Sequence, residues 1–235
     1  MVEGSTFTRR RFLKTGARGG AALVIGFYLP ARIFTDPAQQ QEKKTPNPFN
    51  AWVHIGQDNR VSLILPKSEM GQGVITALPM ILAEELYLDW KNVRVEQAPT
   101  DPSIYDHGTG GSGSVSGSWL PLRQAGAAAR EMLIAAAAQR WNVIPETCKA
   151  KNGAVVHGAR KEVFTYGQLV EDAAKLPIPN LNTVPLKNSD DFTIVGHDTH
   201  RIEARDKSCG AAKFGIDSRP PGMLYAVIGR CPVFG

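Results

Sequence analysis

The stretch PKSEMGQGVIT (residues 66–76) constrains this chain more than any other. It joins a short apolar run, VSLIL (61–65), to a longer segment with helical spacing from Val74 to Leu88. Two glycines bracket Gln72, so the chain must turn from strand to helix within a few residues. AWVHIG (51–56) precedes VSLIL across the turn-prone QDNR, which predicts a β-hairpin, and NVRVEQA (92–98) alternates like a strand. Strand, strand, helix, strand in this order predicts the α/β or α+β class with mixed sheets. Glu84 and Glu85 are expected on the polar side of the helix. Pro79 is expected to kink it or to mark its early turns.

Further along, residues 99–120 are expected to form a long polar loop. The Ala-rich stretch from Pro121 to Trp141 predicts a helix with Ser118 as N-cap and Pro121 in its first turn. Its many alanines allow close packing against another element. CKAKNGAVVHG (148–158) predicts a hairpin turning at Asn152-Gly153. Thr165 is placed to cap a helix running to Lys175. The Pro- and Asn-rich residues 177–191 read as a linker, and MLYAVIG (223–229) reads as a strand of a new domain. The resulting division is 1–34 as an address segment, 35–48 as a polar, proline-bearing linker, 49–190 as a first domain and 191–235 as the start of a second.

The net charge of +5 raises the question of a nucleic-acid partner. Its location argues against one. Residues 1–44 carry eight Lys/Arg and three Asp/Glu, whereas residues 45–235 carry 19 of each sign. The folded part has no excess charge to attract a phosphate backbone. The basic excess belongs to TRRRFLK (8–14), which precedes the apolar GGAALVIGFYL (19–29). A charged region followed by a short apolar one is the pattern of an export signal. Arg10 and Arg11, directly before Phe12-Leu13-Lys14, resemble the pair of a twin-arginine signal. The apolar stretch falls short of the roughly 20 residues of a comfortable membrane span. No clear A-x-A site follows, and an uncleaved segment would tie the protein to the inner membrane. Cys148, Cys209 and Cys231 form no C-x-x-C pair, so neither a zinc ribbon nor an iron–sulfur signature is present.

Two glycine-rich stretches carry candidate chemistry. In Glu69-Met70-Gly71-Gln72-Gly73 the glycines allow close approach of backbone to a ligand, and helix N-terminal amides favour an anion. Gln72 adds a side-chain donor and acceptor. With Thr76 the spacing is G-x-G-x-x-T, near a dinucleotide fingerprint but without its third glycine. The second stretch, GTGGSGSVSGSW (108–119), also leads into a helix. Its amides, with Ser112, Ser114 and Ser116, could form an anion-binding nest. Two such entrances suit a long ligand with an internal pyrophosphate. A nicotinamide or flavin protein is a rival reading and requires a βαβ unit with an acidic residue at the next strand end. An exported, non-enzymatic binding or scaffold module is another. His197 and His200 are spaced as a metal pair would be but lack further ligands. His107, beside the second stretch, is expected to be a solvated loop residue, with a place in the cofactor pocket as the alternative. Trp119 is expected to pack in the core.

Taken together, EMGQGVIT, GSVSGSW before a helix, and FNAWVHIGQDNRVSLILPKSEMGQGVITALPMILAEEL resemble the molybdenum-binding large subunit of the xanthine oxidase/aldehyde oxidase family. The branch resembled is that of isoquinoline 1-oxidoreductase β-subunits and membrane-bound aldehyde dehydrogenase large subunits, over roughly residues 48–235. PLRQAGAAAREMLIAAAAQRW and KFGID…PGMLYAVIGRCPVFG extend the likeness. The resemblance implies part of a molybdopterin-binding domain, followed by the start of an α/β hammerhead domain. It implies that Gly71, Gln72 and Gly73, with Ser114, Val115 and Ser116, contact a molybdopterin cytosine dinucleotide carrying molybdenum. It implies oxidation of small-molecule aldehydes or N-heterocycles and electron transfer through a partner with 2Fe-2S clusters to a respiratory acceptor. The family's catalytic glutamate and its GGGFG-like loop lie downstream of this stretch. Glu69 does not match the catalytic position, so no catalytic residue and no protein metal ligand is assigned here, and the piece alone is expected to be inactive.

Overall fold

The computed structural model describes residues 51–100, 105 and 107–233, together with the strand at 23–26. The chain divides into two compact units, residues 1–199 and 200–235.

The first unit contains a four-stranded mixed sheet. Strand β1 (Leu23–Gly26) pairs antiparallel with β2 (Ala51–Ile55), with a register shift at Ile25/Gly26. β2 pairs antiparallel with β3 (Val61–Leu65), completing the hairpin expected from QDNR. β3 pairs parallel with β4 (Val93–Gln97), Leu63 opposite Val95. Parallel neighbours need a crossover, and helix α1 (Val74–Glu85) supplies it. The GQG turn therefore lies at the carboxyl end of β3 and the amino end of α1. Pro79 lies in the second turn of α1 and is buried.

Helix α2 (Gly113–Trp141) is longer than the composition suggests. Ser118 is buried inside it rather than capping it, and Pro121 lies in its interior. The Gly/Ser stretch joins the helix, which local propensity does not encode; just ahead of it Gly108 and Thr109 bond the β3–α1 connection. Below Pro121 the alanines pack as expected, with Ala125, Ala128 and Ala129 buried against α1. Gly126 sits at the closest approach. A Cβ there would lie 2.8 Å from both the Glu85 Cβ and the Leu82 carbonyl oxygen.

A three-stranded antiparallel sheet follows: β5 (Cys148–Lys151), β6 (Ala154–His157) and β7 (Val163–Thr165). Asn152 (φ 49°) and Gly153 (φ 73°) take the left-handed conformations of the expected two-residue turn. Thr165 caps α3 (Tyr166–Ala173) in a capping box with Gln168. Tyr166 is fully buried, and its hydroxyl donates to the Leu86 carbonyl over 2.6 Å. Burial pushes this phenol far above the ordinary tyrosine range.

Two expectations fail in the region around α1. Glu84 and Glu85 are 1% and 0% exposed, not on a polar face. Residues 177–191 are not a free linker, since Val184 and Lys187 are buried. The two corrections have one cause. The strap 184–195 returns to cover α1, and the paired carboxylates take up its backbone amides. Glu84 accepts from the amides of Thr193 (3.0 Å), Ile194 (2.6 Å) and Val195 (2.8 Å), and from Lys187 Nζ at 2.5 Å. Glu85 accepts from the Lys187 amide (2.9 Å), Arg123 Nε (2.7 Å) and Arg130 Nη1 (3.0 Å). Arg123 and Arg130 also donate to the carbonyls of Lys187 and Pro185.

The second unit holds a short helix, α4 (Ala204–Ser208), and a 3-10 turn at Gly215–Asp217. MLYAVIG (223–229) is not a strand. Leu224, Val227 and Ile228 are 90%, 96% and 85% exposed, and no strand is present among residues 200–233 to pair with it. A strand exists only as a hydrogen-bonded neighbour of another, so its alternation alone cannot form one. Cys148 is buried, whereas Cys209 and Cys231 are exposed.

Candidate functional site

The first loop is closed by its own side chains. Gly71 (φ 106°) and Gly73 (φ 83°) have left-handed backbones that an L side chain strains to adopt, so both glycines are required by the turn itself. The turn aims the amides of Gly71, Gly73 and Ile75 at the Glu69 carboxylate, at 2.8, 3.0 and 3.0 Å. Gln72 folds back likewise. Its Oε1 accepts from the Met70 amide (2.6 Å) and its Nε2 donates to the Ser68 carbonyl (2.8 Å). Glu69 thus places an internal anion where the helix N-terminus favours one.

The second loop lies directly against the first connection. Lys67 Nζ donates to the Gly108 carbonyl at 2.7 Å, and the Ser68 amide donates to Thr109 Oγ1 at 3.0 Å. Thr109 Oγ1 donates to the His107 carbonyl at 3.0 Å. His107 Nδ1 lies 2.8 Å from the Pro66 carbonyl. From there the chain passes through Ser112, the N-cap of α2 at φ 57°, with no side-chain cap bond. Ser114, Val115 and Ser116 form the first turn of α2 rather than a loop. Val115 and Ser116 are exposed and Ser114 is half-buried. The two glycine-rich helix entrances are therefore neighbours although about 40 residues separate them in sequence.

Three residues here have surroundings other than those expected from the sequence. Lys67 is buried, which a lysine after a strand does not announce. His107 is half-buried, not solvated, and its Nε2 is buried without a hydrogen-bond partner among the described residues. Glu69 was visible as an acid two residues before one glycine and four before the next, a spacing suited to a loop-closing cap. Trp119 is half-buried, packed at its edge against Phe192 with the Arg123 guanidinium 5.4 Å from its ring centre. His197 Nε2 is bonded to the Phe192 carbonyl, and no cluster of three metal-ligating side chains occurs among the described residues. Arg10 and Arg11 lie outside the described residues. The rival nucleotide reading gains its βαβ unit but not its acid. Gln97 stands at the end of β4, and its side chain donates to the Leu65 carbonyl.

The family model of the molybdopterin cofactor-binding domain matches residues 8–216. The chain belongs to this family. It is 32% identical over 224 residues to the isoquinoline 1-oxidoreductase beta subunit of Brevundimonas diminuta, covering 79% of this chain and 29% of that one. It is 31% identical over 238 residues to the membrane-bound aldehyde dehydrogenase [pyrroloquinoline-quinone] of Gluconacetobacter polyoxogenes, covering 95% and 29%. A subunit of the nicotinate dehydrogenase of Pseudomonas putida KT2440 is 28% identical over 184 residues, covering 78% and 15%. The chain thus spans less than a third of the length of these relatives. Among solved structures, quinoline 2-oxidoreductase from Pseudomonas putida 86 matches 53% of this chain and 16% of its own at 21% identity, with a TM-score of 0.43. The molybdopterin-binding domain accords with the α+β architecture found here.

The residues present suit such a group. The loop's amides converge on a point that takes an anion, and the Glu69 carboxylate fills it, so a ligand anion would have to displace Glu69. The Nε2 of His107 is a buried polar atom without a partner among the described residues. Of the residues that the resemblance assigns to the cofactor, Gly71 and Gly73 donate their amides to Glu69, Gln72 folds back on Met70 and Ser68, and Ser114, Val115 and Ser116 lie in the first turn of α2.

Proposed function

We propose that this chain forms one wall of the seat for a molybdopterin cytosine dinucleotide in a molybdenum hydroxylase. The observation that carries the reading is the hydrogen-bonded junction of the two glycine-rich helix entrances, Ser68 amide to Thr109 Oγ1 and Lys67 to the Gly108 carbonyl. A long ligand with an internal pyrophosphate needs two adjacent donor-rich segments, and one alone is common for reasons of turn geometry. The cofactor, when bound, supplies the oxidative chemistry. This chain orients it and shields it from water.

In this reading the complete enzyme oxidises an aldehyde or an N-heterocycle with oxygen derived from water. The names of the relatives favour that substrate class. Electrons leave through an iron–sulfur partner with 2Fe-2S clusters to a respiratory acceptor. No catalytic base is assigned to a residue of this chain, and a hammerhead domain is read as starting within residues 191–235. Arg10 and Arg11 direct export by the twin-arginine route to the periplasm, with residues 1–34 as the export segment, of which Leu23–Gly26 pairs with β2 in the folded chain. Replacing both arginines by lysine in a reporter fusion should block that export.

The test is to purify the chain from a host that makes the cofactor, oxidise it and measure released pterin and cytidine monophosphate. About one pterin per chain, with no aldehyde oxidation by the chain alone, is the expected result. Saturable binding of NAD or FAD without any pterin would overturn the reading.

A further inference from the structure

His107 has a role that the loop motifs do not assign. We propose that its Nε2 accepts a hydrogen bond from an uncharged N–H or O–H group of the ligand seated between the two glycine loops. This role rests on the cofactor seat proposed above and names one residue within it.

The backbone fixes the tautomer. His107 Nδ1 lies 2.8 Å from the Pro66 carbonyl oxygen, which can only accept. Nδ1 therefore carries the proton, and in a neutral imidazole Nε2 is left with a lone pair. That nitrogen is buried and has no partner among the described residues. A buried acceptor without a donor is costly, and such atoms are rare in folded chains. The backbone beside the ring is bonded as well. The Thr109 hydroxyl bonds the His107 carbonyl, and the buried Tyr105 ring lies 6.0 Å away at a tilt of 59°. A dry acceptor beside the junction of the two glycine-rich stretches is a recognition element awaiting its donor.

The lone pair also decides which part of the ligand it faces. Phosphate oxygens are acceptors and anionic, so they would oppose an unprotonated nitrogen. Amino groups and ring N–H groups of a pterin or nucleobase, and hydroxyls of a sugar, are donors. His107 therefore reads the uncharged part of the dinucleotide. Access to Nε2 requires local movement of the segment around it.

The experiment uses the full chain, histidine-labelled with nitrogen-15 and prepared with and without molybdopterin cytosine dinucleotide from the host. Pterin content is measured for wild type, H107L and H107Q. Leucine keeps apolar bulk and removes the acceptor, whereas glutamine restores one. The expected results are at least a ten-fold loss of retained pterin in H107L, partial recovery in H107Q, and cofactor-free melting temperatures close to wild type. In the wild type the Nε2 resonance should shift on loading yet keep its unprotonated character. Wild-type retention in H107L, or an unmoved Nε2 resonance in loaded wild type, would overturn the role of His107 alone. A protonated Nε2 on loading would overturn the donor assignment in favour of an anion. A wild-type chain that retains no pterin would sink this inference together with the cofactor seat, a result distinct from the others. Should H107L fail to fold, H107Q and the wild-type resonance still decide.

Discussion

Glu84 shows how far a residue's surroundings can move its chemistry. Burial alone would push its carboxyl up, but the Lys187 ammonium and the amides of Val195, Ile194 and Thr193 together hold it below the ordinary glutamate value. A carboxylate depressed in the folded state stabilises the fold fully above its unfolded value, near 4.5. That contribution fades as pH falls through the folded value. Denaturant titrations should therefore show stability declining below pH 4.5. In E84Q that acid-side decline should be shallower. The same variant should be less stable at pH 7 by about 3–5 kcal/mol, because Lys187 is left buried without its charge partner. An unchanged acid slope in E84Q would count against this account. A single helical wheel puts any carboxylate on the water side, which is why the sequence misplaces this pair of acids. The hint is that VITALPMILAEELYL is apolar nearly all round, which marks a helix buried on every side.

Among the elements, the pairing of α1 with α2 depends on Gly126. Alanine in a helix interior gains about 1 kcal/mol over glycine. Here the added methyl would meet the Leu82 carbonyl oxygen at 2.8 Å, a backbone atom that cannot rotate away. Overpacking of this kind costs about 1–3 kcal/mol, so the clash outweighs the propensity gain. G126A should lower the urea midpoint, and a stabilised variant would show that the two helices can separate freely. The sequence revealed that an Ala-rich helix would pack closely, because small side chains announce it. It did not reveal which residue makes the contact, since that depends on the angle at which α1 crosses. The start of α2 was hidden for a related reason. Gly and Ser at 108–117 have poor helix propensity, and the bonds that dock Gly108 and Thr109 on Lys67 and Ser68 just ahead of the helix are long-range.

At the scale of the molecule, the strap 184–195 ties the far end of the first unit to its first helix. Amides of residues 193–195 are bonded to Glu84 more than 100 positions earlier. They should therefore exchange with solvent as slowly as α1 itself. K187M removes the ammonium from between Glu84 and the Tyr87 ring, which it faces at 4.1 Å. Hydrogen exchange at 193–195 should then rise at least ten-fold while β5–β6 amides stay protected. Equal protection in wild type and K187M would mean that the strap is held by apolar contacts alone. No helix among the described residues is long and apolar enough to cross a membrane.

Local features are legible in the amino acids themselves. The strand, glycine turn and helix at 61–85, the Asn152-Gly153 hairpin and the Thr165 cap each follow from residues within a few positions of one another, where backbone sterics and short hydrogen bonds decide. Long-range packing settled what lies far apart in the chain. It buried Glu84 and Glu85, drew 184–195 onto them, set Gly108 and Thr109 against Lys67 and Ser68, and left the Nε2 of His107 dry and without a partner among the described residues. It also left MLYAVIG without a strand, since pairing needs a neighbour that alternation cannot supply. The cost of burying a charge or an acceptor is set by what packs over it, and that is known only once the chain has closed on itself.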